Sequence, residues 1–321
     1  VRRTPVANLA LLLLGVGVAL AVAWPRSDDA GRRIVRAART GATIQPVTLS
    51  TGDLAVPDAS GHLVPLRRYQ RIVSTNLVTD RLLLELCEPT RILAVSSAAA
   101  ARRRDGYRYA GMRTIEGFGT PEAMVDLRPD LVLTNSFGAP GSAERLRSAG
   151  IEVFDLGELH GEGSLAHIVA SLGFLLGNSE RGQRLWQGFD ERMRAVSARL
   201  GTRKPLRGLY LSTLGPDLQG GTIGTSYHDI MVAAGLVDVA AASYRNWPAY
   251  SSEQVLALHP EVIVTREGFA GGICRYPGMD KIGPCRGLGR IVELSAELLD
   301  EPGLAMLEAA EELFRLVYDK P

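Results

Sequence analysis

The sequence predicts an α/β protein of two similar lobes, each a mainly parallel sheet flanked by helices, joined by a single long α-helix. Three observations predict it. From Arg71 onward, short continuous apolar runs alternate with helical periods, as buried parallel strands with crossover helices do. A long amphipathic stretch, Glu180 to Leu200, stands past the middle of the chain with similar material on both sides. One helix–proline–strand unit occurs twice, once on each side of that stretch. A chain of 321 residues is long enough for two compact domains.

The N-terminus reads differently from the rest. Arg2 and Arg3 precede an apolar run from Val6 to Trp24, and Ala21-Val22-Ala23 supplies a small-residue cleavage pattern. Residues 1–23 are therefore expected to be a signal peptide. The run is also long enough to span a bilayer, so an uncleaved N-terminal membrane anchor is the alternative. No cysteine lies nearby to take an acyl anchor, and the expected location is the periplasm. Residues 24–53, rich in Arg, Ser, Asp, Gly and Thr, show no period and read as a linker. Two apolar runs flank Asp58-Ala59-Ser60-Gly61, which suggests a β-hairpin.

The lobes follow. An N-terminal lobe is expected over 54–178, a connecting helix over 179–201 and a C-terminal lobe over 202–321. Strands are expected at Arg71–Ser74, Arg91–Val95, Asp130–Thr134 and Glu152–Leu156. Helices fall between them at Leu77–Cys87, Pro121–Leu127, Ser142–Ala149 and Ser164–Leu176. In the connecting stretch, Leu185, Trp186, Phe189, Met193, Val196 and Leu200 recur at spacings of three and four, and the opposite face is charged. Asn178 or Ser179 can cap its start, and Gly201 and Pro205 end it. Such a helix is roughly 30 Å long. Taken alone it could equally lie on the surface of one larger domain. After it the pattern restarts, with strands at Gly208–Ser212, Glu261–Thr265 and Arg290–Leu294. Helices are expected at Ser226–Ala234, Ser252–Leu258 and Gly303–Tyr318, and Gly220–Gly224 reads as a tight turn.

The repeat decides for two lobes. Thr120–Thr134 (TPEAMVDLRPDLVLT) aligns without a gap to Ser251–Thr265 (SSEQVLALHPEVIVT), matching Glu122 to Glu253, Leu127 to Leu258 and Pro129 to Pro260. Both glutamates fall in a first helical turn, where the helix dipole favours an acid. They are either capping-turn residues or a pair of carboxylates, one per lobe, offered to a basic partner.

The remaining residues exclude more than they assign. A net charge of +1 gives no footprint for nucleic acid. Cys274 and Cys285 flank a loop-like stretch and should form a disulfide in an oxidising compartment, stabilising by roughly 2–3 kcal/mol. Cys87 reads as a small buried residue. The five histidines are scattered without metal-ligand spacing, so no metal site is expected and a metal would arrive inside a chelate. No Gly-x-Ser-x-Gly elbow, Ser-x-x-Lys or P-loop lysine occurs, so no enzyme and no bound cofactor are expected. A membrane-anchored sensor lobe and a secreted α/β hydrolase are the alternatives.

Arg71-Ile72-Val73-Ser74, Pro129-Asp130-Leu131-Val132, Ser252-Glu253-Gln254-Val255-Leu256 and Pro260-Glu261-Val262-Ile263, in that order and spacing, resemble the periplasmic binding proteins of iron-siderophore, haem and vitamin B12 ABC importers. The resemblance covers about 54–319. It implies two Rossmann-like lobes joined by one rigid helix, with a ligand cleft between them. It implies a monomeric exported protein that captures an iron chelate or a corrinoid and hands it to the permease dimer of an inner-membrane importer. By position it implies ligand contacts from Asn76, Ser97, Phe118, Asn135, Ser136, Tyr227, Trp247, Tyr250 and Arg266, and permease docking through Glu122 and Glu253. The basic run Arg102–Arg104 and the arm before Leu54 depart from the family pattern.

Overall fold

The computed structural model describes residues 45–116, 121–135, 141–213 and 217–319, with backbone alone at 121–123. The expected leader and most of the linker, Phe118 and Ser136 lie outside the described residues. Among the described residues no helix is long and apolar enough to cross a membrane.

A small antiparallel sheet comes first: β1 (Val47–Thr48), β2 (Leu54–Pro57) and β3 (Leu63–Pro65), in that order. The hairpin is where the apolar runs place it, but ordered pairing begins earlier than Leu54, because Val47 and Thr48 pair with Ala55 and Leu54. The buried Asp58 carboxylate holds the hairpin turn. It accepts the N–H groups of Ser60 and His62, each at 2.9 Å, and pairs with Arg147.

The N-terminal lobe runs through β4 (Ile72–Ser74), α1 (Leu77–Leu86), β5 (Ile92–Ser96), α2 (Ser97–Ala100), β6 (Thr114–Ile115), α3 (Pro121–Leu127), β7 (Leu131–Thr134), α4 (Ser142–Ser148), β8 (Val153–Asp155) and α5 (Glu162–Leu175). Its five strands are all parallel, in the order β6-β5-β4-β7-β8. β4 and β7 are fully buried, which explains their unbroken apolar runs.

α6 (Ser179–Ala198) follows. It packs against α1 and α5 of the N-terminal lobe. Phe189, Met193 and Val196 are its buried stripe, as the periodicity requires, with Leu185, Trp186 and Leu200 half-buried beside them. The Asn178 side chain does not cap this helix. Its amide donates instead to Leu86 O at 2.8 Å, tying the start of α6 to the end of α1. α5 and α6 cross at two glycines, Gly173 and Gly182: a Cβ on Gly182 would lie 3.1 Å from Val169 O, tighter than an ordinary contact.

The C-terminal lobe comprises β9 (Arg207–Ser212), β10 (Leu218–Gly220), α7 (Ser226–Ala233), β11 (Val237–Asp238), β12 (Ala249–Tyr250), α8 (Ser252–Leu258), β13 (Val262–Arg266), α9 (Ala270–Ile273), β14 (Arg290–Leu294), α10 (Ala296–Leu299) and α11 (Ala305–Phe314), ending in a π-helical turn at Arg315–Asp319. α7 and α11 pack on the far part of α6. β9, β13 and β14 are parallel neighbours, β11 adds in parallel to β9, and β10 and β12 form an antiparallel edge. The sequence reading missed β1, β6, β10, β11 and β12, since ladders of two or three residues are too short to show a period. One apolar cluster runs through the junction, joining Leu82 and Leu131 to Phe189, Ile230, Val264 and Phe314.

The repeat holds at the level of hydrogen bonds. Arg71 donates from Nε to Arg128 O at 2.8 Å and from Nη2 to Leu127 O at 2.7 Å. Arg207 donates from Nε to His259 O at 3.1 Å and from Nη2 to Leu258 O at 2.8 Å. In each lobe, then, the arginine before or at the start of the first strand holds the last carbonyls of the repeated helix. Each arginine's own N–H is accepted by the acid of the repeated strand, Asp130 at 2.8 Å and Glu261 at 2.9 Å. Arg128 and His259 both sit in the left-handed region, at φ 49° and 45°. Each precedes a proline, which disfavours αR, so the helix ends in a left-handed residue whose free carbonyl neighbours need a donor.

Candidate functional site

In an open α/β sheet, loops that bind ligands leave the carboxyl ends of the parallel strands. In the N-terminal lobe the register pairs Ile72 with Leu131 and Ser74 with Leu133. Beyond it, Thr75 Oγ1 donates to Thr134 Oγ1 at 3.0 Å, which sets Asn76 and Asn135 next along the two strand ends. Asn76 caps α1: its Oδ1 accepts the Thr79 N–H at 3.1 Å, while its Nδ2 is buried with no hydrogen-bond partner. Asn135 is 7% exposed, and its Oδ1 likewise has none. One strand over, Ser97 is the first residue of α2 and half-buried. The cap of that helix is Ser96, whose N–H and hydroxyl also donate to the buried Asp80. Burial pushes the Asp80 carboxyl up to about 6, against those hydrogen bonds.

The C-terminal lobe offers aromatic surface at the same edge. Tyr227, in the first turn of α7, stacks on Tyr210 of β9 with ring centres 3.7 Å apart and planes 17° from parallel. Trp247 meets Tyr227 edge-on at 5.2 Å and is 51% exposed. Glycine makes the stack possible: a Cβ on Gly221 would lie 2.6 Å from the Tyr227 ring. Burial pushes the Tyr227 phenol above its ordinary range, partly offset by its hydrogen bond with Tyr210. Arg266 ends β13 and is engaged by Asp300 through both terminal nitrogens, at 2.5 and 2.7 Å.

Tyr227, Trp247 and Arg266 thus share one region, as do Asn76, Ser97 and Asn135. Tyr250 is a correction. It is 3% exposed on β12, packs edge-on against Tyr244 at 5.0 Å, and belongs to the apolar cluster with Leu209, Val255 and Ile263. Gly220 is needed beneath it, because a Cβ there would lie 2.2 Å from the ring. Tyr210 and Asp300 were missed. Tyr210 sits in a run that reads as an ordinary buried strand, and Asp300 lies far along the chain from the arginine it pairs with.

The two edges meet. On one side, residues 160–162 abut the start of α7: His160 Nδ1 lies 3.2 Å from Gly224 O, and the Glu162 N–H donates to Asp229 Oδ2 at 2.7 Å. Burial, then the nearby Asp229 and Asp190 carboxylates, push Glu162 up to about 7. On the other side, the N–H groups of Arg103 and Arg104 donate to the Glu297 carboxylate at 2.8 and 3.0 Å. Arg81 of α1 reaches Glu301 at 3.0 Å and Glu308 of α11 at 2.9 Å. The basic run joins the lobes through its backbone, with the Arg103 and Arg104 side chains also 3.8 Å from the Glu297 and Glu312 carboxylates.

Glu253 is exposed at the start of α8, in a capping box of Ser251 and Gln254. The hydrogen bond with Ser251, then its own backbone N–H, hold its carboxyl below the ordinary range. One turn further, Leu256 is exposed, as is Val125 at the matching place on α3. The Glu122 side chain lies outside the described residues. Cys274 and Cys285 form a disulfide, and Cys87 is free and buried. Among the described residues no group of three or more His, Cys, Asp or Glu side chains could hold a metal ion.

A family model described as periplasmic binding protein matches residues 72–312. A cobalamin-binding protein of Halobacterium salinarum is 27% identical over 217 residues, 65% of this chain and 57% of that protein's own length. A vitamin B12-binding protein of Vibrio cholerae is 24% identical over 196 residues, 60% of this chain and 69% of that one. Among solved structures, the periplasmic heme-binding protein RhuT from Roseiflexus sp. RS-1 superposes with a TM-score of 0.65 at 24% identity, covering 78% of this chain and 98% of that one. The periplasmic vitamin B12-binding protein BtuF of Vibrio cholerae does so with a TM-score of 0.60 at 21% identity, covering 77% and 96%. With three quarters of its length under one family model and its two lobes meeting at their strand ends, the chain belongs to the periplasmic binding proteins, a family of non-catalytic binding proteins.

Proposed function

We propose that this protein is the exported capture component of an ABC importer for a ferric siderophore, haem or a corrinoid. The observation that carries the reading is the Tyr210–Tyr227 stack with Trp247 edge-on to it, at the carboxyl edge of the C-terminal lobe. Trp247, half exposed and backed by the partly buried Tyr227 and the buried Tyr210, suits the flat apolar face of a macrocycle or a catechol ring. The polar edge opposite, at Asn76, Ser97 and Asn135, supports the same reading by offering hydrogen bonds to a ligand's rim. Delivery would use the repeated helices: the acids Glu122 and Glu253 would pair with basic groups of an inner-membrane permease, with Val125 and Leu256 beside them. Such ion pairs set orientation and on-rate and weaken with salt.

The test is titration of the protein with cyanocobalamin, haemin and several ferric siderophores, following tryptophan fluorescence. Saturable quenching by at least one of them, weakened by 30-fold or more in Trp247→Ala, is the expected outcome. Flat traces with every chelate would remove the chelate reading and leave the fold intact.

A further inference from the structure

We infer that Arg102 of the N-terminal lobe and Glu301 of the C-terminal lobe are the two halves of an ion pair that is open in this conformation, and that the lobes settle into a closer arrangement when it forms. The inference concerns the lobes themselves and stands whatever the ligand is.

The first ground is a set of buried charged atoms with nothing to bond. Arg102 lies just after α2. Its side chain is 7% exposed and donates from Nε to Asp105 at 2.6 Å, but Nη1 and Nη2 are buried without a partner. Glu301 is 1% exposed. Its Oε2 accepts Arg81 Nη1 and the Ala305 N–H, each at 3.0 Å, while Oε1 is buried without a partner. Buried polar atoms are nearly always paired, and a buried charge short of partners is among the costliest exceptions. Two free donors on a guanidinium and a free oxygen on a carboxylate are complementary.

The second ground is position. Arg102 and Glu301 line one narrow space, together with Leu77, Arg81, Asp105 and Tyr109. That space is too narrow to admit a water molecule, so the missing partner is not a bridging water. Nor does a ligand reach it, because the unpaired atoms have no exposed surface. The partner has to come from across the space. Burial pushes the Glu301 carboxyl up to about 7, against the nearby charges of Arg81 and Arg102, and Glu308 adds to the rise. The carboxylate is thus under-compensated where it stands, and a direct pair with Arg102 is what would hold its charge.

The third ground is the segment that carries Glu301. Glu297 accepts the Arg103 and Arg104 N–H groups from the other lobe, Asp300 engages Arg266 at the end of β13, and Glu301 engages Arg81. Arg102 is the chain neighbour of Arg103. A pair between Arg102 and Glu301 therefore tightens a seam that already exists. A shift of Glu301 is carried one residue along, to the ion pair at the carboxyl edge of the C-terminal lobe.

The experiment measures the distance between the lobes in the ligand-free protein by double electron–electron resonance. Nitroxides go on Tyr107→Cys and Leu288→Cys, at positions 77% and 72% exposed, one in each lobe. Cys87 is buried and the other two cysteines are bonded to each other, so none of them takes up label. In this labelled background Arg102→Gln and Glu301→Gln should each shift the mean distance by about 1–2 Å in the same direction, the scale of bringing a pair from beyond ion-pair reach to hydrogen-bond length. The double variant should shift it no further, and Arg102→Lys should lie near the parent. Near-ultraviolet circular dichroism checks folding, and if Glu301→Gln does not fold, the comparison of Arg102→Gln with Arg102→Lys carries the test. Unchanged distances in the single variants, shifts that add in the double variant, or an Arg102→Lys protein displaced as far as Arg102→Gln would each overturn the inference and leave the chelate-capture reading standing.

Discussion

In the N-terminal lobe Arg71 holds the end of α3 through Leu127 and Arg128, and in the C-terminal lobe Arg207 holds the end of α8 through Leu258 and His259. The left-handed residue, the following proline and the acid that accepts the arginine N–H recur as well. At the carboxyl edges the likeness stops. One lobe ends in small polar side chains, with two asparagine atoms left unpaired, and the other ends in stacked aromatic rings and an ion pair. The duplicated part is the part that must hold a helix against a strand, a problem with the same solution in both lobes. The divergent part faces the junction between the lobes, and under the proposed function its two unlike surfaces would meet two different aspects of one ligand.

That comparison can be broken most strongly at the seam. Glu162 is raised from 4.5 to about 7 by burial and by Asp229 and Asp190. A carboxyl raised on folding keeps its proton in the native state where the unfolded chain has lost it. Its contribution is therefore fully present below about pH 4.5 and is lost as pH rises through about 7. The expected loss is on the order of 3 kcal/mol at most, since each pKa unit is about 1.4 kcal/mol. Denaturant unfolding across that window should show stability falling with pH, and Glu162→Gln should flatten the slope. An unchanged slope in the variant would mean that the two edges are less tightly joined there than the geometry indicates.

Next in size is the disulfide, which only the C-terminal lobe carries. Reducing Cys274–Cys285 releases a short loop and should lower stability by roughly 2–3 kcal/mol. Followed by hydrogen exchange, the lost protection should fall around β13, β14 and α9 and spare β4 and β7. Equal loss in both lobes would show that they unfold as one unit through the shared core.

The smallest effects test the likeness itself. Arg71→Ala and Arg207→Ala each remove two hydrogen bonds to carbonyls at a helix end, and each should cost about 1–2 kcal/mol. Two values close together support a shared device. A large cost in one lobe and none in the other would mean that the repeat is a resemblance of shape without shared energetics.

The scaffold was largely legible in the sequence, and the site was legible in part. The buried strands and the stripe Phe189, Met193 and Val196 declared themselves because burial imposes a period or an unbroken apolar run. The alignment of Pro129 with Pro260 foretold the repeated turn but not the arginine that completes it, since Arg71 and Arg207 lie far from the segments they hold. Trp247, expected among the ligand contacts, is half exposed, whereas Tyr250, three residues on, is core. Nothing in the local sequence separates those two, because an aromatic residue in a turn-rich stretch serves either role and only the sheet decides. The run Arg102–Arg104 stood out in the sequence only as a departure from the family pattern, and its contact with Glu297 is made first by two backbone N–H groups that no side-chain pattern reveals.

The most direct measurement is hydrogen exchange with and without saturating cyanocobalamin, or whichever chelate binds tightest in the titrations. Ligand held between the two edges should slow exchange both at 74–79 and 134–135 and at 226–229 and 246–248. Protection confined to one lobe, or centred on the surface around His62 and Arg147, would contradict capture between the lobes.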